Sequence, residues 1–250
     1  MHSRSARGFG GKHTTRRVLV TLLWIGAAHG AYGADIWGGS VAITTDYVVR
    51  GISRSADEPV LQLDWHYVAD SGLVAGLFAA NTHLYSGKPR TAELNGYLGF
   101  AWSAGSDWRG KLLAAYYAYP RTDAGAPAYD YGEFEADLYY RQWLEVAVSY
   151  RPAAPLFGPY DRIERAAAES AEINLQEPLW GRLTGTAGIG YDRVAGKEPP
   201  GYVYWSLGLA YELAPVSISL SYADTDGAAR SLYYRNAARG RWIATVIRRF

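Results

Sequence analysis

Three acids alternate with other residues in "GEFEADLYY": Glu133, Glu135 and Asp137. In an extended chain that spacing puts the three carboxylates on one face, at steps of ~7 Å. Carboxylates so arranged could carry out acid/base chemistry on a glycan or hold Ca²⁺. A preceding segment, "WRGKLL", carries Arg109 and Lys111 at the same parity. Opposite charges on neighbouring strands pair across the ladder, so ion pairing and lining of an interior are expected ahead of metal binding or catalysis. Asp46 and Arg50 form a second couple, four residues apart in "SVAITTDYVVR". On one strand face, Arg50 could meet an acid or the anionic group of a solute. The alternative is a strand end tied by an ion pair, with Gly51 permitting the turn.

Nucleophilic chemistry finds less support. No GxSxG, HExxH or Gly-rich phosphate loop occurs beyond the first thirty-odd residues. His66, His83 and the serines of "VSISLSY" all fall on the polar face of their segments. A barrel that cleaves lipid needs its Ser and His on the lipid side. A phase error of one residue would turn His83 outward and revive that reading. No enzyme, cofactor or metal is expected.

The elements that must position these residues announce themselves by period-two alternation from residue 36 onward. "PVLQLDWHYV" sets Leu61, Leu63, Trp65 and Tyr67 opposite Gln62, Asp64 and His66. "AELNGYLGFAW" sets Leu94, Leu98, Phe100 and Trp102 against Glu93, Asn95 and Tyr97. In "SVAITTDYVVR" the same reading gives Val41, Ile43, Thr45, Tyr47 and Val49 one face and Asp46 and Arg50 the other. About twelve such segments occur, each near the ~9–11 residues a tilted strand needs to cross a bilayer. Their connections alternate long ("RGISRSADEP", "PRTDAGAPAYD") and short ("DSG", "SAGSD"). That asymmetry predicts an all-β, transmembrane antiparallel barrel of about 12 strands, with short periplasmic turns and long extracellular loops. Aromatics such as Trp102, Trp108, Tyr140 and Trp143 crowd the strand ends and suit the membrane interface. In lipid every strand edge must be paired, so the sheet has to close.

Composition agrees. The 21 Tyr, 28 Gly and 9 Trp favour strands and turns, and the absence of Cys excludes disulfides and thiolate metal sites. Arg4, Arg7, Lys12, Arg16 and Arg17 precede the apolar "VLVTLLWIGAAHGA", with no acid before Asp35. Residues 1–33 therefore read as a signal peptide, cleaved after Gly33, and 34–250 as the barrel domain. The whole chain is +1; without the five leader bases it is −4. A mildly acidic exported chain is a poor nucleic-acid binder, so no such partner is expected.

On the inward parity lie the acids Asp46, Asp64, Glu93, Glu133, Glu135, Asp137, Glu145, Glu172 and Asp192. The inward bases are Arg50, Arg109, Lys111, Arg151, Arg182 and Arg241. Asn81, Asn95 and His66 join them. This acid excess predicts a narrow pore that leans towards cations. The last segment, "RWIATVIRRF", places Trp242, Val246 and Phe250 on the lipid side. It reads as the closing strand and as a signal for the outer-membrane barrel assembly machinery, with Arg248 where that pattern usually has an apolar residue.

The segment "SVAITTDYVVRGISRS", with Gln62 and "SGLVAGLFAANT", resembles the TorF-type porin family of proteobacterial secreted proteins, over residues 36 to 250. The resemblance implies an outer-membrane barrel and a channel for an unspecified small polar solute, with no catalytic motif. It singles out Asp46, Tyr47, Arg50, Gly51 and Ser53 without giving them a role. A lipid-acting barrel enzyme and a non-conducting structural or adhesive barrel are the alternatives.

Overall fold

The computed structural model describes residues 36–84, 90–120, 129–156, 164–234 and 236–250. The expected leader, 1–33, lies outside them. Twelve strands form the wall: β1 (Ile36–Thr44), β4 (Val60–Val68), β5 (Leu73–Thr82), β6 (Thr91–Ala104), β7 (Trp108–Ala118), β8 (Tyr131–Tyr140), β9 (Leu144–Leu156), β10 (Glu164–Trp180), β11 (Leu183–Val194), β12 (Gly201–Leu213), β13 (Val216–Thr225) and β14 (Arg241–Arg249). Two short strands, β2 (Val48–Val49) and β3 (Ile52–Ser53), and one helical turn, α1 (Ala229–Leu232), lie in loops. Each wall strand pairs antiparallel with its neighbours, and β1 pairs with both β4 and β14. The ladder has no free edge, which is the condition for a sheet in lipid.

Burial is inverted relative to a water-soluble protein. Leu77, Leu98, Phe134, Leu207 and Leu220 are exposed on the outer face, whereas Glu93 and Asp192 are completely buried inside. This inversion assigns the outer face to lipid. Aromatic rings mark both rims. Trp37 stacks on Trp65 with centroids 4.7 Å apart, and Trp108 sits 4.7 Å from Tyr140, both near the short turns. At the long-loop end Tyr222 contacts Trp205 and Trp242.

Two strand phases differ from the sequence reading. The chain leaves the wall after Thr44, so Tyr47 is fully buried in the lumen and not on the lipid face, and Asp46 and Arg50 share no strand. "DYVVRG" continues the β1 alternation, so parity alone could not reveal the departure. Asn81 faces outward at the end of β5, where its side-chain oxygen accepts a hydrogen bond from the Leu61 amide at 2.6 Å. The register pairing Gln62 with Ala80 fixes that phase.

Candidate functional site

The site is the lumen, and its upper part is built by residues 45–59. Val48 pairs with Ser53 and Val49 with Ile52, leaving Arg50 and Gly51 as a two-residue turn. Both have positive φ, 50° and 75°, the mirror-image turn whose twist suits a hairpin. For Arg50 this conformation costs roughly 1–2 kcal/mol, which its side-chain contacts offset. Gly51 has no alternative: a Cβ there would lie 2.9 Å from the Tyr204 Cβ.

The hairpin points into the lumen, and each polar member finds a partner. Arg50 Nη2 pairs with Glu133 and donates to Ser149 Oγ at 2.9 Å, while its Nε donates to Ser170 Oγ at 3.0 Å. The Tyr202 hydroxyl donates to the Arg50 carbonyl at 3.1 Å. Arg54 donates to Glu93 at 3.0 Å and to the hydroxyls of Tyr119 and Tyr131. The other Glu93 oxygen accepts from Tyr47 at 2.8 Å. Asp46 accepts from Ser53 and Ser55, both at 2.6 Å, and pairs with Arg241. The Ser53 amide donates to the Ala237 carbonyl at 2.9 Å and Asp57 pairs with Arg239 at 2.7 Å, so residues 237–239 sit on top of the hairpin. Burial pushes the Tyr47 phenol up, and the Glu93 carboxylate adds to the shift, so the hydroxyl stays a donor. Burial disfavours the Arg50 cation, but Glu133 and Asp192 outweigh it and hold its pKa above the ordinary value.

Beneath the hairpin the wall supplies the groups. Lys111 Nζ lies 2.7 Å from Asp137 and 3.2 Å from Glu135, the cross-strand pairing the spacing predicts. Glu133 is drawn instead to Arg50. Arg109 donates to the Arg141 carbonyl at 2.7 Å near the short turns and meets none of the three acids. The Asn174 amide donates to Glu145 at 3.1 Å and to Glu172 at 2.5 Å. Asp64 accepts from Tyr97 at 2.9 Å and contacts His66 at 2.6 Å. Asn95 is buried on the same wall. Arg182 is exposed in the turn after β10 and lines nothing. His83 lies 3.2 Å from Glu58 of the inward loop.

The rings of Tyr97 and Tyr204 lie across their cross-strand partners Gly76 and Gly190, so they stay against the wall. What remains is a cavity of about 170 Å³ in the lower lumen, with Glu135 and Asn95 on one side and Ser206, Ser219, Ser221 and Thr245 on the other. A second space of about 120 Å³ lies directly under Arg50.

At the seam, Phe250 and Gly39 exchange backbone hydrogen bonds of 3.0 and 3.1 Å. The Phe250 ring covers Gly39 so closely that a Cβ there would sit 2.8 Å from ring carbons. Trp242 and Val246 face outward on the same strand, and Arg248 is exposed beside them.

The family model for Gcw_chp, a bacterial protein of unknown function, matches residues 28–250. The chain belongs to the Gcw_chp family. No curated protein matches it. Solved structures similar to this Gcw_chp barrel include the KdgM porin, with a TM-score of 0.51 and 9% identity over 85% of this chain and 99% of that one. The NanC porin, in a rhombohedral crystal form, gives 0.52 and 8% over 85% and 98%. At such identities the likeness establishes the fold: the Gcw_chp barrel is a porin-like, closed, twelve-stranded β-barrel.

Sequence reasoning missed Arg54, Ser55 and the two tyrosines, Tyr119 and Tyr131, whose hydroxyls accept from Arg54. The available signal was "VVRGIS", two apolar runs around an X-Gly dipeptide, which is a hairpin pattern.

Proposed function

We propose that this barrel is a channel of the bacterial outer membrane, through which small polar solutes or ions diffuse passively with a slight preference for cations. The observation that carries the reading is the apolar outer band enclosing a polar, partly hollow lumen. The porin-like fold and the sequence resemblance to TorF-type porins point the same way. Cation preference rests on the acids around the two cavities, Asp64, Glu133, Glu135, Asp137, Glu145 and Glu172, which outnumber the cations there, Arg50, Lys111 and Arg249. Lipid and the assembly machinery are the partners, catalysis is not part of the role, and Trp242, Val246 and Phe250 form the assembly signal.

Single-channel recording in a planar bilayer tests this. Discrete steps are expected, with a reversal potential in a KCl gradient displaced towards the K⁺ value. A purified barrel that stays silent, even with its hairpin released by substitution, sinks the channel. Deleting Phe250 is expected to lower the amount of barrel in the outer membrane, and unchanged levels refute the assembly signal. The fully ion-paired hairpin favours one second reading, a structural barrel that does not conduct.

A further inference from the structure

The buried charges in the upper part of the lumen can be matched one by one, and the matching fails in its middle. Glu93 is met by Arg54, Glu133 by Arg50, Asp192 by Arg151 and Asp46 by Arg241. In the middle of the lumen Lys111 pairs with Glu135 and Asp137, while Glu145 and Glu172, which line the same space, have no ion pair among the described residues. Asn174 and the Tyr204 hydroxyl donate to two of them but bring no charge. Four carboxyl groups thus face one ammonium, and two of them, Asp137 and Glu145, are buried, where a carboxylate without a partner is costly.

Two further atoms at this level want donors. Asp137 Oδ1 and Asn95 Oδ1 are buried without any hydrogen-bond partner among the described residues, and each of these residues is only 4% exposed. Asn95 is not one of the acids; it lines the lower cavity together with Glu135. Glu135 and Asn174 also line the space under Arg50, so the two volumes of about 170 and 120 Å³ adjoin. Together they have room for a solute well beyond a single water. The unmet need is therefore for positive charge and N–H donors in a volume of that size.

The wall already shows what it accepts. Arg50 places a guanidinium on Glu133 with Ser149 and Ser170 accepting beside it, an N–H-rich cation seated on carboxylate and hydroxyls. A bare metal ion is the weaker fit, because no three His, Asp or Glu side chains among the described residues converge as ligation requires.

We infer that the mid-lumen is a binding site for a small organic cation carrying primary ammonium or guanidinium groups, an inference that rests on the channel reading and names its solute class. One cationic end meets Glu145 and Glu172, and the other meets Glu135 and the free acceptors of Asp137 and Asn95. The neutral Ser219 and Ser221 wall faces the carbon body.

Calorimetry on the purified barrel in detergent tests the site without any need for conduction. The probes are 1,4-diaminobutane and its uncharged isostere 1,4-butanediol. The diamine is expected to bind at least tenfold more tightly than the diol. The double variant Glu145→Gln/Glu172→Gln should weaken it tenfold or more, and Asn95→Leu should weaken it several-fold with no change of charge. Glu169→Gln, an exposed acid on the same strand as Glu172, should leave it unchanged. Equal binding of diamine and diol overturns the inference. So does equal displacement of the diamine by Mg²⁺, which reduces the site to a diffuse counter-ion cloud. In bilayers the diamine should lower the K⁺ current. Diamine binding to a barrel that passes no current refutes the channel and leaves the site standing. Current without diamine binding does the reverse.

Discussion

Near the long-loop end, the lumen is filled by a hairpin whose arginines answer carboxylates on β6 and β8; below the hairpin it is hollow and lined by serine and threonine hydroxyls together with Leu113, Ile243 and Ile247. Both halves keep polar groups inside a membrane barrel, but the upper one satisfies them with protein and the lower one leaves space for solvent or solute. Removing one partner of a buried ion pair strands the other charge and costs about 3–5 kcal/mol. A serine facing a wet cavity loses little when truncated. The upper half should therefore decide whether anything passes, and the acids at the boundary between the halves what passes most easily.

The largest effect is expected from Arg50→Ala combined with Arg54→Ala. The hairpin loses its hold on Glu133 and Glu93, and single-channel conductance should rise several-fold while the unfolding midpoint of the barrel on gels falls. Unchanged conductance would mean the hairpin is not the constriction. Gly51→Val attacks the same half through backbone strain and the missing space beside Tyr204. It should reproduce the conductance gain with a smaller loss of stability, since the arginines remain. Lys111→Met moves to the boundary between the halves and removes the cation that, among the described residues, pairs with Glu135 and Asp137. The reversal potential in a KCl gradient should shift further towards K⁺ with little change in conductance; a shift towards Cl⁻ would contradict the charge argument. Ser219→Ala with Ser221→Ala should change stability by no more than about 0.5 kcal/mol and leave selectivity intact, as denaturant titration and bilayer recording can check.

How far these halves were legible in the sequence follows from the range of the interactions. Alternation is a local property, so the inward phase of Asp64, Glu93, Glu133, Glu135, Asp137 and Glu145 could be read from a few neighbours each. So could the pairing of Lys111, because β7 and β8 are joined by one loop. The hairpin left only a weak mark. Its residues keep the parity of β1, Arg-Gly is a weaker turn signal than Asn-Gly, and Arg54 meets Glu93 only through the closed tertiary structure. Arg109 and Arg182 carried the right parity or charge but sit too near the short turns, a matter of depth that alternation does not encode. The five residues singled out by the family resemblance all belong to the hairpin, which gives them a structural place that the resemblance itself lacked.

One property of the hairpin concerns how the wall is measured. From its root between β1 and β4 it reaches Glu93 on β6, Glu133 on β8, Ser149 on β9, Ser170 on β10, Tyr202 on β12 and Arg241 on β14. Those anchors lie nearly all the way round the ring. A cylinder with one hairpin more or fewer would set them at the wrong radius and leave several charges unmet. The inserted segment thus acts as an internal gauge of circumference, rewarding only the closure in which β14 meets β1.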